Sequence, residues 1–395
     1  MKLSPKIPIV ALVAVAVLAG VCVLSGAQTN SSQAAGAKFS YGGDAAETPA
    51  QFIDNLVFLS ARVNSSAPSL FQLDTTAQSS SIAPARAEEI GHGSSPAPVL
   101  NLEGVDVTLP ALPIRASDNF GARVGEVYQG TLGSDFLSCV VLEIDYGRQT
   151  VRAFSNDAYK YSGKGTIFPL KLQQGVPVIP AQFALAKGKA IQGNFVINTA
   201  LDASVLLSNK FLAGRKMFSD RGRVIPAIDP ISGNAGASMG KLHGFRMGQI
   251  TPEDVLITFS DSALPEVGTP LAGEIGADIL RRFVVVFDFA HQRLIFTPNL
   301  RFPDPDQEDK SGLLIVGKGP DYKRFEVVGV EPHTPAADAG IEKGDVIAGV
   351  DAEAAADLSL LVTRDLFKQV GHKYKLLVEH NGATKDVTLQ MRRYF

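Results

Sequence analysis

Two polar tripeptides stand where apolar strands end: Asp74-Thr75-Thr76 after SLFQL, and Asn198-Thr199-Ala200 after NFVI. Asp74 offers a carboxylate that can take a proton. Asn198 offers an amide that donates a hydrogen bond but neither ionises nor passes a proton. Their common build raises the question of whether they are two copies of one device. No other grouping competes for the chemistry. His92, His243, His291, His333, His372 and His380 are scattered without metal-ligand spacing, so neither a metal nor a cofactor is expected. GHGSS at Gly91 lacks the order of a nucleophile elbow. Cys139, in FLSCVVLEIDY, has no local histidine and reads as packing. Asp135, Asp145, Asp278 and Asp288 fall at caps and turns, where aspartate serves the backbone. Asp202 lies beyond the turn that follows Asn198.

The elements that must position the two tripeptides repeat. GTLGSDFLSCVVLEIDYGRQTVRAF from Gly130 matches GEIGADILRRFVVVFDFAHQRLIFT from Gly273 at a constant offset of 143 residues. Each copy reads as an apolar-apolar-Gly turn, a short helical turn and a strand ending in an Asp-aromatic turn. Asp74 and Asn198 are only 124 residues apart, so the second copy has gained length. The Gly-rich, mobile-looking run ISGNAGASMGKLHGFRMGQ is the expected place for it; without a following Gly-Lys-Ser/Thr it is no phosphate loop. A duplication of this size predicts two similar β-rich lobes side by side.

A chain of 395 residues with 45% hydrophobic and 19% charged content is globular and long enough for two or three domains. A formal net charge of −3 gives no basic face for nucleic acid. Lys2 and Lys6, the apolar run IPIVALVAVAVLAGVCVL and the small residues before Gln28 form an export signal over 1–27. Whether it is a cleaved signal peptide or an uncleaved anchor stays open, because the run is near the lower limit for a membrane span. Either way the body is expected outside the cytoplasm, in the periplasm or cell envelope. It is expected to meet a membrane only through this segment, if the segment is uncleaved. Residues 28–47, rich in Ser, Ala and Gly, read as a flexible tether. FTPNLRFPDPDQEDK reads as a Pro- and charge-rich linker, placed over 303–310.

The unit from Ser311 reads as strands, a short helix over PAADAG, a turn at EKGD, a longer helix through LSLLVTRDLFKQV and a hairpin closed by Asn381-Gly382. Ser311-Gly312-Leu313-Leu314 and the runs Pro335–Gly340 and Lys343–Ile347 resemble a PDZ domain of the bacterial type, spanning 311–395. That resemblance implies capture of a peptide's C-terminal tail by strand addition, with the backbone N–H groups of Gly312, Leu313 and Leu314 around its carboxylate.

The duplicated part resembles the bilobal, retropepsin-like aspartic proteases, with lobes over 48–162 and 163–302. In that family each lobe brings an Asp-Thr/Ser-Gly loop and a later apolar-apolar-Gly element, here Thr131-Leu132-Gly133 and Glu274-Ile275-Gly276. The resemblance makes Asp74 and Asn198 the catalytic positions. Thr75 and Thr199 become the threonines that lock the loops together, with Gly133 and Gly276 as support. Two carboxyl groups sharing one proton are the family's mechanism, and Asn198 cannot be one of them. Thr76 and Ala200 stand where the family has glycine, and a β-branched Thr76 predicts strain in a left-handed turn. The fold expected is therefore mainly β: two pepsin-like barrel lobes from a duplication and a C-terminal α+β PDZ domain. The function expected is binding of peptides or unfolded segments by a protein whose hydrolytic pair has lapsed. The alternative is an active endopeptidase that uses Asp74, pairing it across a dimer.

Overall fold

The computed structural model describes residues 35–93, 97–116, 120–217, 222–229 and 235–393. The export segment expected over 1–27 lies outside the described residues, as does the first part of the tether. Among the described residues no helix is long and apolar enough to cross a membrane.

Runs of β-branched and aromatic residues form strands that are buried on both faces. The strand Phe283–Asp288 (FVVVFD) is one of them, and it pairs antiparallel with Val141–Asp145, the strand from the other copy of the repeat. Glu143 sits opposite Val286, its own equivalent under the offset of the repeat. The two copies are thus related by a local two-fold axis through this pair. The pair lies within a six-stranded sheet to which both halves contribute, flanked by an eight-stranded sheet of the first half and a nine-stranded sheet of the second. One apolar cluster runs from Val57 to Phe296 through all three.

The C-terminal unit is a six-stranded antiparallel sheet with its own core, including Phe325, Ile347, Phe367, Leu376 and Leu389. Thr334 caps the helix Pro335–Asp338, and Ser359 caps the helix Leu360–Phe367. His380 pairs with Ala383 across Asn381 and Gly382, both at positive φ, the turn an Asn-Gly pair favours. The protein is mainly β with a C-terminal PDZ-type unit.

Three readings of the sequence are corrected. The tether is not free throughout: the strand Gly36–Phe39 pairs with Val105–Thr108, and Ala45–Thr48 pairs with Thr150–Phe154. Ala37, Phe39 and Ala46 pack against a core already built. Nor is the 303–310 segment a loose linker. Asp306 accepts hydrogen bonds from Leu256 N (2.8 Å) and Arg282 Nη2 (2.7 Å), and also from Ser204 Oγ. Arg282 is fully buried, so this charge pair fastens the segment to the second half. The Gly-rich run, described from Ala235 on, is built into a sheet: Ala235–Lys241 pairs with Ile225–Ile228 on one side and Leu256–Ser260 on the other.

Candidate functional site: the cleft between the halves

The strand Ser69–Leu73 runs parallel to Gly130–Leu132, and Asp74 N–H donates to Leu132 O at 2.9 Å. The second half repeats this. The strand Ala190–Ile197 runs parallel to Gly273–Ile275, and Asn198 N–H donates to Ile275 O at 2.9 Å. Each polar tripeptide therefore leaves its strand at the same point of the same local sheet. Close packing behind them explains the two glycines. A Cβ on Gly133 would come within 2.6 Å of Ala77 O, and one on Gly276 within 2.2 Å of Ala203 O.

The two turns interlock. Thr75 Oγ1 donates to Ile197 O at 2.5 Å and accepts from Thr199 N at 3.2 Å. Thr199 Oγ1 donates to Leu73 O at 2.7 Å and accepts from Thr75 N at 3.2 Å. Both threonines are fully buried. Four hydrogen bonds, two in each direction, hold Asp74 and Asn198 at the floor of one cleft of about 880 Å³.

The third residues of the tripeptides are unstrained, which corrects the expectation of a left-handed turn: neither Thr76 nor Ala200 has a positive φ. Instead each closes a short loop on the residue two before it. Thr76 donates to Asp74 Oδ1 from its backbone N (2.8 Å) and its hydroxyl (2.6 Å). Ala200 N donates to Asn198 Oδ1 at 2.8 Å. That bond fixes the orientation of the Asn198 amide and turns its Nδ2 towards Glu274, whose Oε2 accepts at 2.7 Å.

Glu274 is the residue that reading the sequence passed over. In the sequence it stands only as the first member of an apolar-apolar-Gly element. The signal was present: a carboxylate inside a short buried strand, where the other copy has Thr131. Glu274 is 2% exposed and lines the same cleft as Asp74 and Asn198. Burial pushes its carboxyl up to about 7; the Asn198 amide pulls the other way, and the charges of Asp74 and Asp229 add to the rise.

The other acidic residues serve elsewhere. Asp202 pairs with Arg123 Nε at 3.4 Å, and Arg123 Nη2 reaches Ala200 O at 3.4 Å. Asp135 Oδ1 accepts from Ser80 N and Oγ, and Asp145 and Asp288 accept backbone N–H groups in their turns. Asp278 Oδ1 accepts from the Asn55 side chain at 2.9 Å. Burial holds the Cys139 thiol up at about 11, as suits a packing residue. Among the described residues no group of acidic, histidine or cysteine side chains is arranged to hold a metal ion.

Gly312, Leu313 and Leu314 border a second cavity, of about 260 Å³, with Asp54, Asp202 and Arg364. The expected carboxylate cradle is partly occupied from within. Asp309 Oδ1 accepts from Ser311 N (2.8 Å), Ser311 Oγ (2.6 Å) and Gly312 N (2.7 Å), while Leu313 N donates to Ser311 Oγ at 3.0 Å. The peptide edge of the unit is also covered. Its edge strand Leu313–Lys318 packs on the helix Phe120–Val124 of the first half. Arg364 bonds Ile315 O at 3.0 Å and Asp54 at 3.2 Å. Arg123, from that same helix, borders both cavities.

Residues 307–391 match the PDZ domain family model. Among solved structures, the chain is similar to a photosystem II D1 C-terminal processing protease, at 30% identity over 22% of this chain, with a TM-score of 0.21. That match spans 24% of the length of the other protein. It is also similar to an aspartic proteinase from Irpex lacteus, at 13% identity over 66% of this chain and 98% of that one, with a TM-score of 0.40. No curated protein matches the chain. With the sheet and helices described above, the family match identifies the C-terminal part of this protein, residues 307–391, as a PDZ domain.

Proposed function

We propose that the chain is an exported polypeptide-binding protein: an aspartic-protease-like double lobe that takes an extended peptide in its cleft, joined to a PDZ domain that takes C-terminal tails. The observation that carries this reading is the reciprocal Thr75–Thr199 bonding, which sets Asp74 and Asn198 symmetrically at the floor of one open cleft. Asp74 and Asn198 do not form a proton-sharing dyad, because the Asn198 amide donates a hydrogen bond but does not ionise. The export segment and the PDZ domain support a role in handling polypeptides in the cell envelope.

Hydrogen exchange tests the cleft. Carboxymethylated insulin B chain, an extended probe, is expected to slow exchange in the 74–79 and 198–201 loops, which border the cleft. Exchange there unchanged at saturating probe, with protection confined to 312–318, would leave the PDZ domain as the only peptide site.

A further inference from the structure

We propose that Glu274 supplies the second carboxyl group of the cleft, so that Asp74 and Glu274 together hydrolyse the extended peptide bound there. The proposal rests on the reading of the cleft as a peptide site and adds turnover to it.

The geometry assigns Glu274 this place. Its strand, Gly273–Ile275, lies between Ala190–Ile197 and Val205–Ser208, with Glu274 in register with Val196 on one side and Leu206 on the other. Pinned on both edges, the backbone has no freedom to swing the side chain away. The Asn198 amide, itself fixed by Ala200 N, holds one carboxyl oxygen at 2.7 Å. Asn198 thus positions a carboxyl group in the cleft instead of providing one.

Two carboxyl groups in one cleft work when their surroundings separate their proton affinities. Asp74 accepts two hydrogen bonds from Thr76 on one oxygen, one from its backbone N–H and one from its hydroxyl. Glu274 is buried, faces the Asp74 charge and lies near Asp229, so it favours its neutral form. Asp229 is engaged by Ser260 and Ser262. The remaining charged groups lining the cleft are Arg115, Arg123 and Glu266.

The step balances with water as the only co-reactant. Asp74 takes a proton from water as the oxygen bonds to the peptide carbonyl carbon, and neutral Glu274 gives its proton to the carbonyl oxygen. The resulting gem-diol collapses as Asp74 passes its proton to the amide nitrogen and the C–N bond breaks. One diol hydroxyl returns a proton to Glu274. A carboxylic acid and an amine leave, with Asp74 again charged and Glu274 again neutral.

The test incubates the full chain with carboxymethylated insulin B chain from pH 4 to 8 and reads fragments by mass spectrometry. Cleavage is expected at pH 5 and is expected to fall as pH rises through about 7, where Glu274 ionises. Glu274→Gln and Asp74→Asn should each slow it by roughly 10²–10⁴-fold. Both variants should still show probe-dependent exchange protection of the cleft loops. Asn198→Asp puts a carboxyl 2.7 Å from Glu274 and should move the upper pH limit upwards, a shift that does not depend on how well Glu274→Gln folds. Protection without cleavage by the wild-type chain would overturn hydrolysis and leave peptide binding standing. Neither protection nor cleavage would overturn both. Cleavage by Glu274→Gln at the wild-type rate, or an Asn198→Asp profile with the same upper limit, would remove Glu274 from the chemistry.

Discussion

At the scale of single residues, the cleft depends on where a proton sits. Glu274 has its carboxyl raised from 4.5 to about 7 by burial first, then by the Asp74 charge. The folded chain therefore holds this proton more tightly than the unfolded chain. Its contribution to stability is full below about pH 4.5 and is lost as pH rises through about 7. A shift of that size corresponds to on the order of 3 kcal/mol. Glu274→Gln keeps an acceptor for Asn198 and removes the ionisation. Denaturant titrations at pH 4.5 and 8 should accordingly give a smaller stability difference for the variant than for the wild type; equal differences would place Glu274 in water. Thr199→Val keeps the shape and deletes the hydroxyl that bonds Leu73 O and accepts from Thr75 N. Leaving those buried groups unsatisfied should cost about 1–3 kcal/mol in the same titration. Thr75 and Thr199 were legible in the sequence because each stands in a polar tripeptide after an apolar strand, and the resemblance to aspartic proteases implied their locking role. Glu274 was not, because one polar member in an otherwise apolar strand changes neither its period nor its flanking glycines.

Among the elements, the junction between the helix Phe120–Val124 and the PDZ edge strand Leu313–Lys318 decides who reaches the peptide edge. A tail adding to that strand has to replace the Arg364 bond to Ile315 O, and the Arg364–Asp54 pair holds that arginine in place. Asp54→Ala releases one end of the clasp. Fluorescence polarisation with a labelled peptide ending in a free carboxylate should show tighter binding to this variant than to wild type, by a few-fold. Equal affinities would mean that the clasp does not gate the edge. The C-terminal strands and helices were readable because their contacts are local: a capped helix, an Asn-Gly hairpin and a turn at EKGD each signal within a few residues. The helix on the PDZ edge was not, because its role comes from a partner nearly two hundred residues away in sequence. The strands Gly36–Phe39 and Ala45–Thr48 were hidden for another reason. Edge strands of four residues are too short to show a clear alternation, so composition reads as tether where hydrogen bonding builds sheet.

Across the whole molecule, the 303–310 segment ties the PDZ domain to the second half through Asp306. Ending the chain after Phe302 removes that carboxylate and leaves the fully buried Arg282 without it. Such a truncation should destabilise the remaining body by roughly 3–5 kcal/mol, well beyond the loss of an exposed tail. Thermal unfolding of the truncated chain checks this; an unchanged midpoint would show that the PDZ domain and the body are independent. The same architecture puts Arg123 between the two cavities, bonded to Ala200 O on the cleft side. The duplication was visible in the sequence as an offset, and the structure turns that offset into a two-fold axis on which Glu143 meets Val286.

The most direct measurement is a carbon NMR titration of the protein labelled at its glutamate side-chain carboxyls, with the Glu274 signal assigned by its loss in Glu274→Gln. The account predicts a midpoint near 7 that drops when Asp74 is replaced by Asn. A midpoint near 4.5, unmoved by that replacement, would contradict it, because the two carboxyl groups would then not share the cleft.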